Sequence, residues 1–243
     1  MRSPRPDLEE ASALEVLEYA VAEWHPRLAV ACSFQKEASV IVDLIRRVDP
    51  RSRIFTLDTG VLFAETHDVW SAVDARYAPG GSPKVEVYKG MSLAAQAGRF
   101  GDELWKRDPD ACCAIRKVGP LDEALATVDA WVSGLRREQS PDRASTPKLA
   151  WDDRHGKWKL NPLADWTEKQ VWSYIFEHGL PYNQLHDRGY ASIGCTHCTQ
   201  PGNGRDGRWA GTGKVECGLH GEGPIGDGAG PAVAVGESGA PAR

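Results

Sequence analysis

The sequence predicts an α/β fold: a mostly parallel sheet with helices packed on both faces. Three observations predict it. Short apolar strand patterns alternate with helical ones from residue 28 to residue 88, the signature of strand–helix–strand crossovers. Polar loops fall where several of these strands hand over to the next element. The 243 residues are 41% hydrophobic and 26% charged, enough for one sizeable domain and unlike a fibrous or wholly disordered chain.

Each element has its own signal. Leu8, Leu14, Leu17, Val21 and Trp24 recur at helical spacing, so residues 7–24 read as a leading amphipathic helix closed by Pro26. Residues 28–33 read as a short buried strand, 38–48 as a helix and 53–57 as a second strand. Beyond the turn at Asp58, Thr59 and Gly60, residues 63–77 read as a helix and 84–88 as a strand. Residues 131–133 add a further strand, 148–151 with 157–160 a small hairpin, and 167–178 a helix with Thr167 as its N-cap. Residues 221–243 turn to Gly, Ala and Pro without an aromatic residue, and burial there cannot offset chain entropy. A disordered tail is expected behind a single domain of residues 1–220.

Charge and hydropathy exclude some partners. Lys plus Arg total 29 against 34 Asp plus Glu, a net charge of -5, so no general attraction to nucleic acid or an acidic membrane is expected. No apolar run approaches the roughly 18 residues of a membrane span, and the first residues lack an apolar signal core. A cytoplasmic location is expected, and the oligomeric state, including a homo-oligomer, is left open.

Six cysteines are too few for a disulfide scaffold of this length, so their spacing is read as the chemistry of reduced thiols. Cys112 and Cys113 are neighbours, and Cys195 and Cys198 form a Cys-x-x-Cys. Four thiolates from two distant loops suggest one shared inorganic centre. Around a single zinc ion, tetrahedral thiolates lie only about 3.8 Å apart, which strains a vicinal pair. In a four-iron cluster each cysteine binds its own iron, and the pair is easier to place. Zinc and unligated thiols remain the alternatives. Lys117 follows Cys113 by one helical turn and is placed to tune such a centre, though in isolation it reads first as a solvated surface lysine.

Cys217 stands apart, next to the Gly-rich terminus and among Arg205, Arg208, Lys214 and His220. Positive charge favours the reactive thiolate, which makes Cys217 the candidate nucleophile, expected exposed on a mobile segment of residues 200–220. Cys32, in an apolar run, reads as a buried small residue. Two loops suit an anion. Ser33 to Glu37 precedes a helix, whose N-terminal N–H groups with the Ser33 hydroxyl and Lys36 can hold one. Gly134 to Arg143 carries Arg136, Arg137 and Arg143, whose guanidinium forks match phosphate or sulfate.

Taken together, Ser33-Phe34-Gln35-Lys36-Glu37, Leu57-Asp58-Thr59-Gly60, Cys112-Cys113-x-x-Arg116-Lys117 and Ser133-Gly134-Leu135-Arg136-Arg137 resemble the adenylylsulfate (APS) reductases of assimilatory sulfate reduction, within the wider phosphoadenylylsulfate (PAPS) reductase family. Gly194-Cys195-x-x-Cys198, Gly207-Arg208-Trp209 and Glu216-Cys217-Gly218-Leu219-His220 extend the resemblance to nearly the whole chain. It implies an adenine nucleotide alpha-hydrolase-like, Rossmann-like fold. It further implies a [4Fe-4S] cluster on Cys112, Cys113, Cys195 and Cys198, and Cys217 as nucleophile. Substrate binding by Ser33, Lys36, Asp58, Gly134, Arg136, Arg143, Arg205, Arg208 and His220 is expected, with thioredoxin as reductant. Members with all four cluster cysteines generally use APS and those without it PAPS. Three rival readings are kept: a PAPS reductase, an ATP pyrophosphatase, which the absence of a Ser-Gly-Gly loop argues against, and a zinc-stabilised nucleotide-binding module without catalysis.

Overall fold

Ser12 sets the start of the first helix. Its hydroxyl accepts from the Glu15 N–H at 3.3 Å while the Glu15 carboxylate accepts from the Ser12 N–H at 2.7 Å. This capping box begins α1 at Ala13–Trp24, six residues inside the span its apolar periodicity suggested, with Leu8 and Ala11 packed on the core ahead of it. The structure is a computed structural model that describes residues 6–78 and 83–220. The expected tail at residues 221–243 lies outside the described residues.

After α1 come β1 (Leu28–Ala31), α2 (Lys36–Val48), β2 (Arg53–Asp58), α3 (Ala64–Tyr77) and β3 (Glu86–Lys89). The next stretch holds α4 (Leu93–Phe100), α5 (Leu104–Arg107), α6 (Pro109–Cys113), a π-turn at Ala114–Val118 and α7 (Gly119–Leu125). Then follow β4 (Ala130–Val132), β5 (Leu149–Asp152), β6 (Lys157–Leu160) and α8 (Glu168–Glu177). Helix α2 opens at Lys36, two residues earlier than its pattern implied, which draws Lys36 into the first turn.

The sheet order is β3-β2-β1-β4-β6-β5, parallel throughout except for the β5–β6 hairpin. Period-two alternation divides the strand residues between two cores. Val30, Ile54, Ala130 and Val132 face one cluster with α1, α2 and α8, whereas Ala29, Phe55 and Trp131 face a second with Leu121 and Leu125 of α7. Helices therefore cover both faces, as expected. The chain leaves β1 toward β2 and β3, then returns to its other side as β4, so the loops after β1 and β4 diverge at a topological switch point. That opens a crevice at the strands' carboxyl ends. Among the described residues no helix is long and apolar enough to cross a membrane.

Candidate active site

A cavity of about 250 Å³ occupies that crevice. Ser33, Lys36, Gly134, Arg136, Arg143, Arg205, Arg208, Cys217 and His220 all line it, as does Lys117. Asp58 is not among its lining residues, contrary to expectation. Its Oδ1 accepts from the Gly60 N–H at 2.9 Å and its Oδ2 pairs with Lys89 at 3.2 Å, so it shapes a turn in which Gly60 takes a left-handed φ of 69°.

The cations of the cavity divide into two sets. Lys36 donates to Glu168 Oε1 at 2.6 Å, and Arg136 donates to Glu37 at 2.9 and 3.0 Å and to Glu138 at 2.9 Å. The Arg136–Glu37 pair is buried, whereas the side chains of Glu138 and Glu168 are each 53% exposed, so Lys36 and Arg136 tie the loops together and are not the unpaired anion-binding cations that were expected. The second set gathers around the chain's end. Arg143 and Arg205 both reach Glu216, and Arg208 donates from Nη1 to Ser192 Oγ and the Ile193 carbonyl, each at 3.2 Å. A Cβ at Gly194 would collide with that Arg208 guanidinium, which explains the glycine there.

Cys217 is 9% exposed and packs with Cys113, Trp209, Cys198 and Leu219. The exposed thiol on a loose segment expected from composition is instead docked. Glu216 is gripped by two arginines, Arg154 donates to the Gly218 carbonyl, and His220 stacks on Trp131 at 5.8 Å and 12°. His220 is half-buried, and desolvation of its ring, followed by the nearby charges of Lys159, Arg143 and Arg205, holds its pKa well below the usual histidine value. Its Nδ1 is thereby free to accept from Lys159 Nζ at 3.3 Å.

The vicinal cysteines close α6, where Asp108 accepts from the Ala111 N–H at 2.9 Å and Pro109 fits the first turn. Cys195 and Cys198 flank a 3-10 turn that the Thr196 N–H ties to the Val61 carbonyl at 2.9 Å. All four line one small cavity with Trp105, Arg116, Lys117 and His197. Burial raises the thiols of Cys112 and Cys113, and burial with the neighbouring Cys195 and Cys113 pushes Cys198 up to about 11. Arg116 is 2% exposed and donates from Nη1 to the Thr59 carbonyl at 2.5 Å, while its Nε and Nη2 have no partner among the described residues. Burial opposes charge on Lys117, but the Cys195 and Cys217 sulfurs outweigh it and raise the Lys117 pKa. Lys117 is thus a buried cation and not a solvated one. Among the described residues no group of three or more His, Cys, Asp or Glu is set to hold a single metal ion.

The sequence matches the phosphoadenosine phosphosulfate reductase domain over residues 27–201. The chain belongs to this family. A reductase-family relative from Geobacillus thermodenitrificans, named adenosine 5'-phosphosulfate reductase, is 49% identical over 221 residues, which cover 88% of this chain and 92% of the relative. One of the same name from Lysinibacillus sphaericus is 48% identical over 215 residues, covering 86% and 90%. Among solved structures, the phosphoadenylyl-sulfate reductase from Candida auris in its phosphate complex superposes with a TM-score of 0.70 at 33% identity, over 79% of this chain and 94% of that one. The FMN adenylyltransferase of Candida glabrata bound to FMN and an ATP analogue shares the fold alone, with a TM-score of 0.55 at 14% identity over 84% and 70%.

For this member of the reductase family, two site residues, Trp209 and Glu216, carry no role in the sequence reading beyond their place in a motif. Trp209 is 3% exposed, adopts a left-handed φ of 49° and packs on Cys113 and Cys217. Arg208 lies 4.5 Å from its ring centroid, with Lys214, Lys117 and Arg205 at 5.5, 5.8 and 5.8 Å. Glu216 was read only as part of a motif. Its role depends on Arg143, far off in the chain, and no local signal marks it.

Proposed function

We propose that this chain reduces adenylylsulfate to sulfite and AMP in assimilatory sulfate reduction, with Cys217 as the nucleophile and a thioredoxin-type dithiol as reductant. The observation that carries the reading is Cys217 itself, placed on the wall of the crevice cavity beside Arg143, Arg205, Arg208 and Lys117. The Cys217 thiolate attacks the sulfate sulfur, an S–S bond forms, and the bridging S–O bond breaks with its electron pair leaving on the AMP phosphate. The guanidiniums and Lys117 stabilise charge as it moves to the leaving oxygens. A dithiol sulfur then attacks Cys217 Sγ, sulfite departs with the S–S pair, and the second dithiol sulfur resolves the mixed disulfide. Sulfur falls from the sulfate to the sulfite level while the dithiol is oxidised, and Cys217 returns as a thiol.

That the relatives at 49% and 48% identity are named adenosine 5'-phosphosulfate reductases favours APS over PAPS. Replacing Cys217 by serine is expected to abolish sulfite formation, with AMP release lost in parallel. Sulfite formed at the wild-type rate by Cys217→Ser would defeat the reading, and faster turnover of PAPS than of APS would reassign the substrate.

Cys112, Cys113, Cys195 and Cys198 fit a [4Fe-4S] cluster, since four thiols share one cavity and the unpartnered buried nitrogens of Arg116 call for an anionic neighbour. When bound, such a cluster supplies a fixed charge that organises this wall without a change of oxidation state. Purified anaerobically, the protein is expected to be brown, with broad absorption at about 400 nm characteristic of thiolate-ligated iron. A colourless protein containing zinc would overturn that assignment. Six free cysteines suit a reducing compartment, and we place the reaction in the cytoplasm.

A further inference from the structure

Glu216 stands one residue before Cys217 and is the anion on which two of the cavity's arginines close. Its Oε1 accepts from Nε and Nη2 of Arg143 at 3.1 and 2.7 Å, and its Oε2 accepts from Nη2 of Arg205 at 3.0 Å. The same Arg205 nitrogen donates to the Val215 carbonyl at 3.2 Å. The side chains of Arg143, Arg205 and Glu216 are 11%, 18% and 27% exposed, so these are partly desolvated, charge-assisted bonds and not a surface pair. They tie residues 215 and 216 directly to the cavity wall. Cys217, at 9% exposure, faces that cavity and is closed to a bulky protein dithiol. One sulfur that must meet a nucleotide inside and a protein outside needs two positions.

We propose that Glu216 is the positioning residue that sets the first of them: its carboxylate, shared by Arg143 and Arg205, latches the Cys217 segment against the cavity. How the latch opens rests on the sulfonyl-transfer reading above, whereas its closure stands on geometry alone. Once the sulfonyl group has moved, the Cys217 side chain presents three oxygens sharing one negative charge, set farther out along the side chain than the sulfur that carried it before. Those oxygens compete with the adjacent Glu216 carboxylate for the same two guanidiniums, the latch loosens, and the adduct becomes available to the dithiol.

The test is alkylation of Cys217 by iodoacetamide, followed by peptide mass spectrometry on the anaerobic holoprotein without substrate. Glu216→Gln removes the charge at nearly constant shape, and Cys217 is expected to react roughly tenfold faster, the factor that about 1.4 kcal/mol makes in an opening equilibrium. Glu216→Asp should fall between the two. Salt weakens the attraction of the Cys217 thiolate to Lys117 and Arg208 in both proteins but weakens the Glu216 ion pair only in the wild type, so raising its concentration should raise the wild-type alkylation rate relative to that of Glu216→Gln. In single turnover, sulfonation of Cys217 in Glu216→Gln should slow, while sulfite release from the preformed adduct by a dithiol should not. A merely structural defect would slow both steps. Equal alkylation rates in wild type and Glu216→Gln, or a ratio of the two rates indifferent to salt, would overturn the latch. Faster alkylation in a protein that forms no adduct with APS would keep the latch and overturn the proposed reaction.

Discussion

His220 shows how burial at one residue reaches both stability and pH response. Desolvation of its ring, which stacks on Trp131, and the positive charge of Lys159, Arg143, Arg205 and His155 disfavour protonation in the fold, whereas nothing hinders it in the unfolded chain. A histidine whose folded pKa is depressed contributes stability that is present above its unfolded pKa of about 6.5 and is lost as pH falls below it. Wild-type protein is therefore expected to lose thermal stability between pH 7 and pH 5 more steeply than His220→Asn. Parallel melting-temperature profiles for the two proteins would contradict this. His155, held by Asp122 and Asp152, is shifted the other way despite its burial and opposes the trend equally in both proteins. Cys32 follows the same logic of burial. Its thiol is pushed up to about 12, in keeping with a packing residue of no reactivity.

Elements were legible where a local rule decides them. Thr167 was readable as an N-cap because the Gln170 side chain accepts from the Thr167 N–H at 2.8 Å while the Thr167 hydroxyl accepts from the Gln170 N–H at 3.2 Å, a reciprocal pair written in residues three apart. Thr167→Ala removes the cap of α8, at a cost of about 1 kcal/mol and a fall in melting temperature of about 2–4 °C for a domain of this size. An unchanged melting temperature would mean that packing of Val171 and Ile175, and not the cap, fixes this helix. The stretch from α4 to α7 was not legible. Its helices are short, α5 has four residues, and the π-turn through Arg116 and Lys117 breaks the 3.6-residue rhythm on which a pattern depends. The signals it did carry were caps: Ser92, which accepts from the Ala95 N–H at 3.1 Å, and Asp108 before Pro109.

At the scale of the molecule, the sheet order does what composition cannot. By sending the chain outward from β1 and back as β4, it places the loops at Ser33 to Glu37 and Gly134 to Arg143 on one crevice, against which the cysteine-bearing end then folds. The loops could be located from sequence because strand ends are local. Their pairings could not, since Glu37 meets Arg136 across 99 residues and Lys36 meets Glu168 across 132, so these two cations prove to have carboxylate partners that no local pattern announces. The same long-range closure buries Cys217, whose Gly-rich surroundings pointed to exposure. The central claim is that this enclosed sulfur receives the sulfonyl group. Mixed anaerobically with APS and no reductant, the holoprotein should carry an added mass of about 80 Da, that of SO₃, on the peptide containing Cys217, and adding a dithiol should discharge it as sulfite. Protein that makes sulfite at full rate while Cys217 never gains that mass would contradict the account.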